Sequence, residues 1–152
     1  MSAVSADIVR TATCRAPLAV AFAYVADYRA IPSWMLGIEQ FVPVGERSHG
    51  EGAEFDVTAR FGVRLHTRIR ATEWVGQKLI GMESVRGVHV RSRFGFEEDG
   101  PLTRVTAEVS YRLPRGPAGR MMNRAVGPFV TRAVDHANHA LVAGIERQAA
   151  SA

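Results

Sequence analysis

The feature that most limits what this chain can become is a change of period. From Ile38 onward the period changes to two, with apolar and polar residues alternating in six successive runs, "FVPVGE", "AEFDVTARF", "VRLHTRIRATEWV", "KLIGMESV", "VHVRSRFGFEED" and "TRVTAEVSYRL". A period of two marks strands with one buried face. The runs are parted only by the turn signals "HGEG", "FG", "GQ", "RG" and "EDGP". Connections that short join antiparallel neighbours, so a meander follows.

The flanks read differently. Ile8 to Cys14, "IVRTATC", is rich in β-branched residues and reads as one more strand. Pro17 stands where a first-turn proline belongs, and Val20, Ala21, Tyr24 and Val25 recur at helical spacing until about Asp27. A second short helical piece precedes the meander. After "PRGP" the helical period returns, with Met122, Val126, Phe129, Val130, Ala133, Ala137, Ala140, Leu141 and Gly144 tracing one stripe to about Gln148. Gly127-Pro128 inside that stripe predicts a kink or an interruption. The expected class is α+β: a seven-stranded curved antiparallel sheet wrapped around a long C-terminal helix, with two short helices after the first strand. One helix cannot cover so wide a sheet, and something must fill the gap.

The 152 residues, 47% hydrophobic and 22% charged, suit one domain spanning residues 1–152. A chain of this length buries roughly 70% of its unfolded surface and needs no disulfide or metal to fold. Cys14 is the single cysteine, which rules out an intrachain disulfide and fits a reducing compartment. The start "MSAVSADIVR" has no basic-then-apolar signal, and no apolar run approaches the ~20 residues of a membrane span, so the expected location is cytoplasmic. The net charge of +4 raises the question of an acidic partner. Of 19 basic residues all but Lys78 are arginine, a bias spread along the chain and read as genomic coding bias.

Several stretches together resemble the START-related SRPBCC superfamily, the helix-grip fold shared with birch-pollen-type allergens and bacterial polyketide cyclase/dehydrases. They are "APLAVAFAYVADYRAIPSW", "ATEWVGQKL", "FGFEEDGPLTRVTAEVSYRLPRGPAG" and the terminal helix. The resemblance covers nearly the whole chain. It implies an apolar cavity between sheet and long helix, holding a small hydrophobic ligand such as a polyketide, lipid or quinone-like molecule. At the corner before the meander the chain has Ile31-Pro32 where some cyclases carry Trp-Pro. The corner Ile31 to Met35 would close one end of the sheet, with Trp34 and Met35 as wall or lid, or as a plug of the core.

Strand parity nominates the wall. On the last strand Val105, Ala107, Val109, Tyr111 and Leu113 share the inner face; Val88, Val90, Ser92, Phe94 and Phe96, and Phe55, Val57, Ala59 and Phe61, do so on two others. The expected ligand-binding set is Trp34, Met35, Phe55, Phe94, Phe96, Val109, Met122, Phe129 and His136. The strand "VRLHTRIRATEW" has two readings. Alternation turns Leu65, Thr67, Ile69 and Ala71 inward and leaves Arg64, His66, Arg68 and Arg70 as a solvated row. The resemblance to cyclases instead implies basic side chains in the cavity. A two-residue turn at Gly76-Gln77 would set Val75 against Lys78 and Arg70 against Glu83. Such a pair, turned inward, would polarise a carbonyl or enolate oxygen. A β-bulge would reverse that parity. If the protein is an enzyme, the resemblance implies a cyclase or dehydratase acting by positioning and polarisation, without a covalent nucleophile, with Arg70, Glu83 and Tyr111 in the catalytic roles.

Other chemistries find little footing. His136 and His139 are three apart on the last helix, yet no third or fourth ligand has zinc spacing, so no metal is expected. No cofactor is expected either, because "HGEG" and "RGPAG" lack the spacing and lysine of a phosphate loop. Cys14 has no local activating partner. A nucleic-acid reading would use Arg64, Arg68, Arg70, Arg91, Arg93, Arg104 and Arg112 on the outer sheet face, but that face lacks the aromatics on which bases stack, and nucleic acid is not the expected partner. The alternative to a cyclase is a non-catalytic lipid or quinone-type carrier. Homodimerisation is left open.

Overall fold

The computed structural model describes residues 4–61, 63–86, 89–113 and 116–151. Strand β1 (Val4–Cys14) leads into α1 (Leu18–Ala26), a 3-10 turn (Tyr28–Ala30) and the one-turn helix α2 (Ile31–Trp34). The meander follows as β2 (Ile38–Pro43), β3 (Glu54–Phe61), β4 (Val63–Val75), β5 (Leu79–Arg86), β6 (His89–Asp99) and β7 (Leu102–Leu113), and the chain ends in α3 (Pro117–Ala150). The seven strands form one antiparallel sheet in the order β1-β7-β6-β5-β4-β3-β2. β1 thus returns to pair with the last strand, and the curved sheet wraps α3 as the alternation predicts.

The turn after β1 is tied down from two directions. The buried hydroxyl of Thr103 donates to the Ala16 carbonyl at 2.8 Å. The Arg15 backbone N–H donates to the Glu146 carboxylate at 2.8 Å, joining the turn to the end of α3. Arg10 and Asp135 (2.7 Å) clamp β1 to the middle of the same helix. The interruption expected as one outcome at Pro128 does not occur: α3 runs through that residue as one 34-residue helix. Pro128 is exposed, so its ring meets solvent and not the packed face of the helix.

Register decides which side chains can meet. Ile69, Thr67 and Leu65 of β4 lie opposite Phe55, Val57 and Ala59 of β3, so both sets face α3. Arg70 pairs with Glu54, Arg68 with Asp56 and Arg64 with Arg60 on the other face. The turn after β4 does not pair Val75 with Lys78 as strand partners; the pairing is Val75 with Leu79, and Gln77 takes φ 60°. Thr72 is an extra residue between the pairs Glu73–Gly81 and Ala71–Met82. That bulge absorbs the longer turn, which is why Arg70 still falls opposite Glu83. It also turns Trp74 to the inner face, where its ring meets Phe22 edge-on at 6.1 Å, and leaves Glu73 outside.

Candidate functional site

Between the sheet and the first two-thirds of α3 lies a cavity of about 180 Å3. Every strand of the meander contributes to its wall. Ile38 and Phe41 come from β2, Val57 and Ala59 from β3, and Leu65, Thr67 and Ile69 from β4. Ile80, Met82, Val90, Ser92 and Phe94 follow, then Ala107, Val109, Tyr111 and Leu113 from β7. α3 closes the space with Val126, Val130, Ala133, Val134, Ala137, Asn138 and Leu141, and Val25, Ile31, Trp34 and Met35 complete the end wall. The void has a plain cause: Ala59 and Ala107 on the sheet share this space with Ala133 and Ala137 on the helix, and no large side chain bridges it.

The wall is almost wholly apolar. No Asp, Glu, Lys or Arg lines it among the described residues, and its polar side chains are those of Thr67, Ser92, Tyr111, Asn138 and Trp34; His66 also borders it, but its side chain is on the outer face. Several are already engaged. The Tyr111 hydroxyl donates to Asn123 Oδ1 at 3.0 Å, and burial pushes the phenol pKa up, so it stays neutral. Gly127 gives that contact room: a Cβ there would stand 3.2 Å from Asn123 Oδ1 and 3.5 Å from the Tyr111 oxygen. Thr67 donates to the Arg86 carbonyl, and His66 Nδ1 lies 3.2 Å from the Thr58 hydroxyl on the solvent side. Trp34, 2% exposed, stands edge-on to Phe94 at 5.7 Å. Its indole nitrogen is the one buried side-chain polar atom among the described residues without a hydrogen-bond partner.

Of the residues nominated from sequence, Trp34, Met35, Phe94, Val109 and Tyr111 line the cavity. Phe55 and Phe96 face inward as expected but belong to solid core: Phe55 packs on Phe41 (4.8 Å) and Tyr28 (5.8 Å), Phe96 on Phe22 (5.3 Å). Met122 is half-buried and off the wall, while Phe129 and His136 are exposed. The buried seam of α3 runs through Val126, Ala133, Ala137, Leu141 and Ile145, and Phe129 and His136 sit to one side of it. Val88 and the Phe61 side chain lie outside the described residues. Sequence reasoning missed Asn138; the signal available was a lone amide beside Ala137 in an otherwise apolar run.

The inward placement of Arg70 and Glu83 is corrected. Arg70 Nε and Nη2 both reach Glu54 Oε2, at 3.2 and 3.1 Å on the outer face. The Glu83 carboxylate stands 3.7 Å from His89 Nε2. Register is the reason: inner positions of β4 are taken by Ile69 and Thr67, and the even-numbered arginines fall outside. There they join a lattice of carboxylates. Arg64 meets Glu39 (3.1 Å), Arg68 meets Asp56 (3.1 Å) and Arg104 meets Glu97 (3.1 Å). Arg93 grips Glu73 through Nε at 2.9 Å and Nη2 at 3.2 Å, reaching across Gly81, where a Cβ would come within 2.8 Å of Glu73 Oε1. Glu73 holds the Arg93 pKa above its usual value.

Cys14 is fully buried, and desolvation, with the Glu146 charge adding to it, pushes its thiol up to about 11. It is therefore a packed thiol rather than a nucleophile. Among the described residues no group of three or more His, Cys, Asp or Glu side chains is placed to hold a metal ion.

These features, a curved sheet gripping one long helix with an apolar hollow between them, define the START-like helix-grip class. Residues 5–146 match the family described as polyketide cyclase / dehydrase and lipid transport, and the chain belongs to it, within the SRPBCC superfamily. Solved structures agree at the level of fold. A START superfamily protein from Mycobacterium smegmatis has a TM-score of 0.74 at 15% identity, covering 93% of this chain and 97% of that one. The Zhui aromatase/cyclase of a Streptomyces species has a TM-score of 0.73 at 16% identity, covering 95% and 96%. A protein of Thermus thermophilus has a TM-score of 0.75 at 17% identity, covering 96% and 98%. Among curated proteins none matches the sequence.

Proposed function

We propose that the protein is a carrier or sequestering protein for a compact, apolar metabolite of about one or two rings bearing a hydrogen-bond acceptor. The observation that carries this reading is a cavity wall without a single Asp, Glu, Lys or Arg among the described residues. A cyclase acting by polarisation needs charge or convergent donors aimed at developing oxyanions. The best-placed charged pair, Arg70 with its carboxylates, is on the far side of the sheet. Size supports the same view: an apolar cavity of roughly 150 Å3 holds one benzene ring, and drug-sized ligands occupy roughly 300–1,000 Å3. A space of about 180 Å3 suits a compact ligand better than an extended poly-carbonyl chain. The acceptor is inferred from the Trp34 indole N–H, a buried donor that the protein itself leaves unpartnered.

The second reading is a cyclase or dehydrase. It is favoured by the family and by the Ser92 hydroxyl and the Asn138 amide, which line the same cavity as Tyr111 and could orient a carbonyl.

The test is a pair of matched probes, tetralin and 1-tetralone, titrated by displacement of an apolar dye and by native mass spectrometry. Both should bind, the ketone more tightly. Trp34→Phe keeps a ring against Phe94 and removes the N–H, so it should weaken the ketone about 3- to 10-fold, as for one neutral hydrogen bond, and leave the hydrocarbon unchanged. Failure of both probes to bind would sink the reading. Turnover of a short poly-carbonyl thioester would replace it with the second one.

A further inference from the structure

Fifteen of the 18 arginines fall into two populations, and Arg15, Arg47 and Arg147 belong to neither. Ten of them, all outside the segment 109–134, lie within 4 Å of a carboxylate. Residues 109–134 contain five arginines, Arg112, Arg115, Arg120, Arg124 and Arg132, and no acidic residue. That excess is larger than the net +4 of the whole chain, so the remainder is close to neutral. The last three project from the first half of α3, and all are exposed.

The same face carries apolar side chains that nothing covers. Met121, Ala125, Pro128 and Phe129 are exposed, Met121 at 73% and Phe129 at 43%. Met121, Ala125, Pro128 and Arg132 recur at three- and four-residue steps, so they form one stripe down the helix, with Arg120 and Arg124 on its flank. Arg132 lies over the Phe129 ring at 5.9 Å. The segment 117–134 is about 27 Å long at about 1.5 Å per residue, a basic-flanked apolar face.

We infer that this face of α3 docks the protein on an anionic lipid surface. A helix lies in a bilayer interface when one face is apolar and its flanks carry Arg or Lys, and attraction to anionic headgroups is worth about a factor of five per basic residue. No helix among the described residues is long and apolar enough to cross a membrane, so this one lies along the surface. An acidic protein would satisfy the arginines but gives no account of an exposed Met-Pro-Phe stripe between them. The docking stands on charge and exposure alone; its use rests on the ligand reading above. The inner side of the same turns, Val126, Val130 and Ala133, is cavity wall, so the docked helix sets the cavity one helix diameter from a bilayer that dissolves its ligand.

The test uses the full chain without added ligand, in flotation with vesicles of phosphatidylcholine alone or mixed with phosphatidylglycerol. The protein should float with the mixed vesicles and not with phosphatidylcholine, and should be released as salt rises from about 0.05 M to about 0.5 M. Arg120→Gln and Arg124→Gln together should lower the partition about 25-fold, and Met121→Gln should lower it further at constant charge. Tetralone binding in solution, without vesicles, should be unchanged in these surface variants, which separates failure of docking from failure of the ligand site. Equal flotation of wild type and variants would overturn the inference. Absence of flotation with salt-sensitive retention on immobilised polyglutamate would overturn it too, and would assign the face to an acidic macromolecule.

Discussion

At the end of the sheet covered by α1, Phe22 stands edge-on to both Trp74 and Phe96, Ile145 and Cys14 are fully buried, and the Tyr24 ring lies against Gly144 of α3. At the end where α3 begins, Val126, Val130, Ala133 and Ala137 look across open space at Ala107, Val109 and Ala59. Both ends use one helix and one sheet. They differ in whether a third element reaches the gap. Where α1 lies between them, aromatic rings interlock; beyond its reach, small residues on both walls leave a hollow. The ligand space is thus a consequence of how short α1 is, and its dimensions follow from alanines that look unremarkable singly.

The largest effect that would break this comparison is at the packed end. Phe96→Ala should destabilise the protein by about 3–5 kcal/mol in urea unfolding while tetralone affinity holds, because Phe96 is off the cavity wall. A loss under about 1 kcal/mol would mean that the packed end is not packed. Next comes Gly144→Ala, whose new Cβ would collide with the Tyr24 hydroxyl and ring. Overpacking of this kind costs about 1–3 kcal/mol, and adding Tyr24→Ala should recover much of it, a non-additivity that a double-mutant cycle reads directly.

Alkali probes both ends at once. The Cys14 thiol is raised to about 11 in the folded state, from an unfolded value of 9.0. Between those values the unfolded chain holds fewer protons, so stability falls as pH rises, by up to about 1.4 kcal/mol per pH unit. Burial raises the Tyr111 phenol too, and the loss continues in the same direction above its unfolded value of 10.0. Cys14→Ala should flatten the first part of that fall in pH-dependent unfolding. The smallest stability effect is expected in the hollow: Ala133→Leu adds methyl groups where space exists, so stability should change by less than about 1 kcal/mol while tetralone affinity drops at least about tenfold. A large loss of stability there would show that the space is not free.

Strand count, the order of the meander strands and the facing of β7 were legible, because Val105, Ala107, Val109, Tyr111 and Leu113 alternate without a break and short turns join antiparallel neighbours; the place of β1 beside β7 was not, since two helices separate it from the meander. The outward reading of Arg64, Arg68 and Arg70 was legible by the same rule, and the resemblance to cyclases pulled the other way. Two further things were not. The rotation of α3 about its axis is fixed by packing against β1, α1 and α2, so a broad apolar stripe could not separate Val130, on the wall, from Phe129, in solvent. The bulge at Thr72 has no local signature, since Thr suits any strand position. Nor could the division of the inner face into solid core and cavity be read, because Phe94 and Phe96 share one strand face and only their neighbours tell them apart.

Thr72 has one more consequence. β3 makes its last ladder contact with β4 at Ala71, and the pairs with β5 run from Ala71–Met82 straight to Glu73–Gly81. The residue between them is therefore punctuation, one of two breaks in the β4–β5 script, the other lying between Arg68 and Ile69. Deleting it would leave every downstream letter in frame, with Glu73 still outside against Arg93 and Trp74 still inside against Phe22. A deletion elsewhere in β4 would garble the strand by sending arginines into the hollow. What the spare residue contributes is local: a bulge bends and twists its strand, so this corner is where one residue could be lost without rewriting either face.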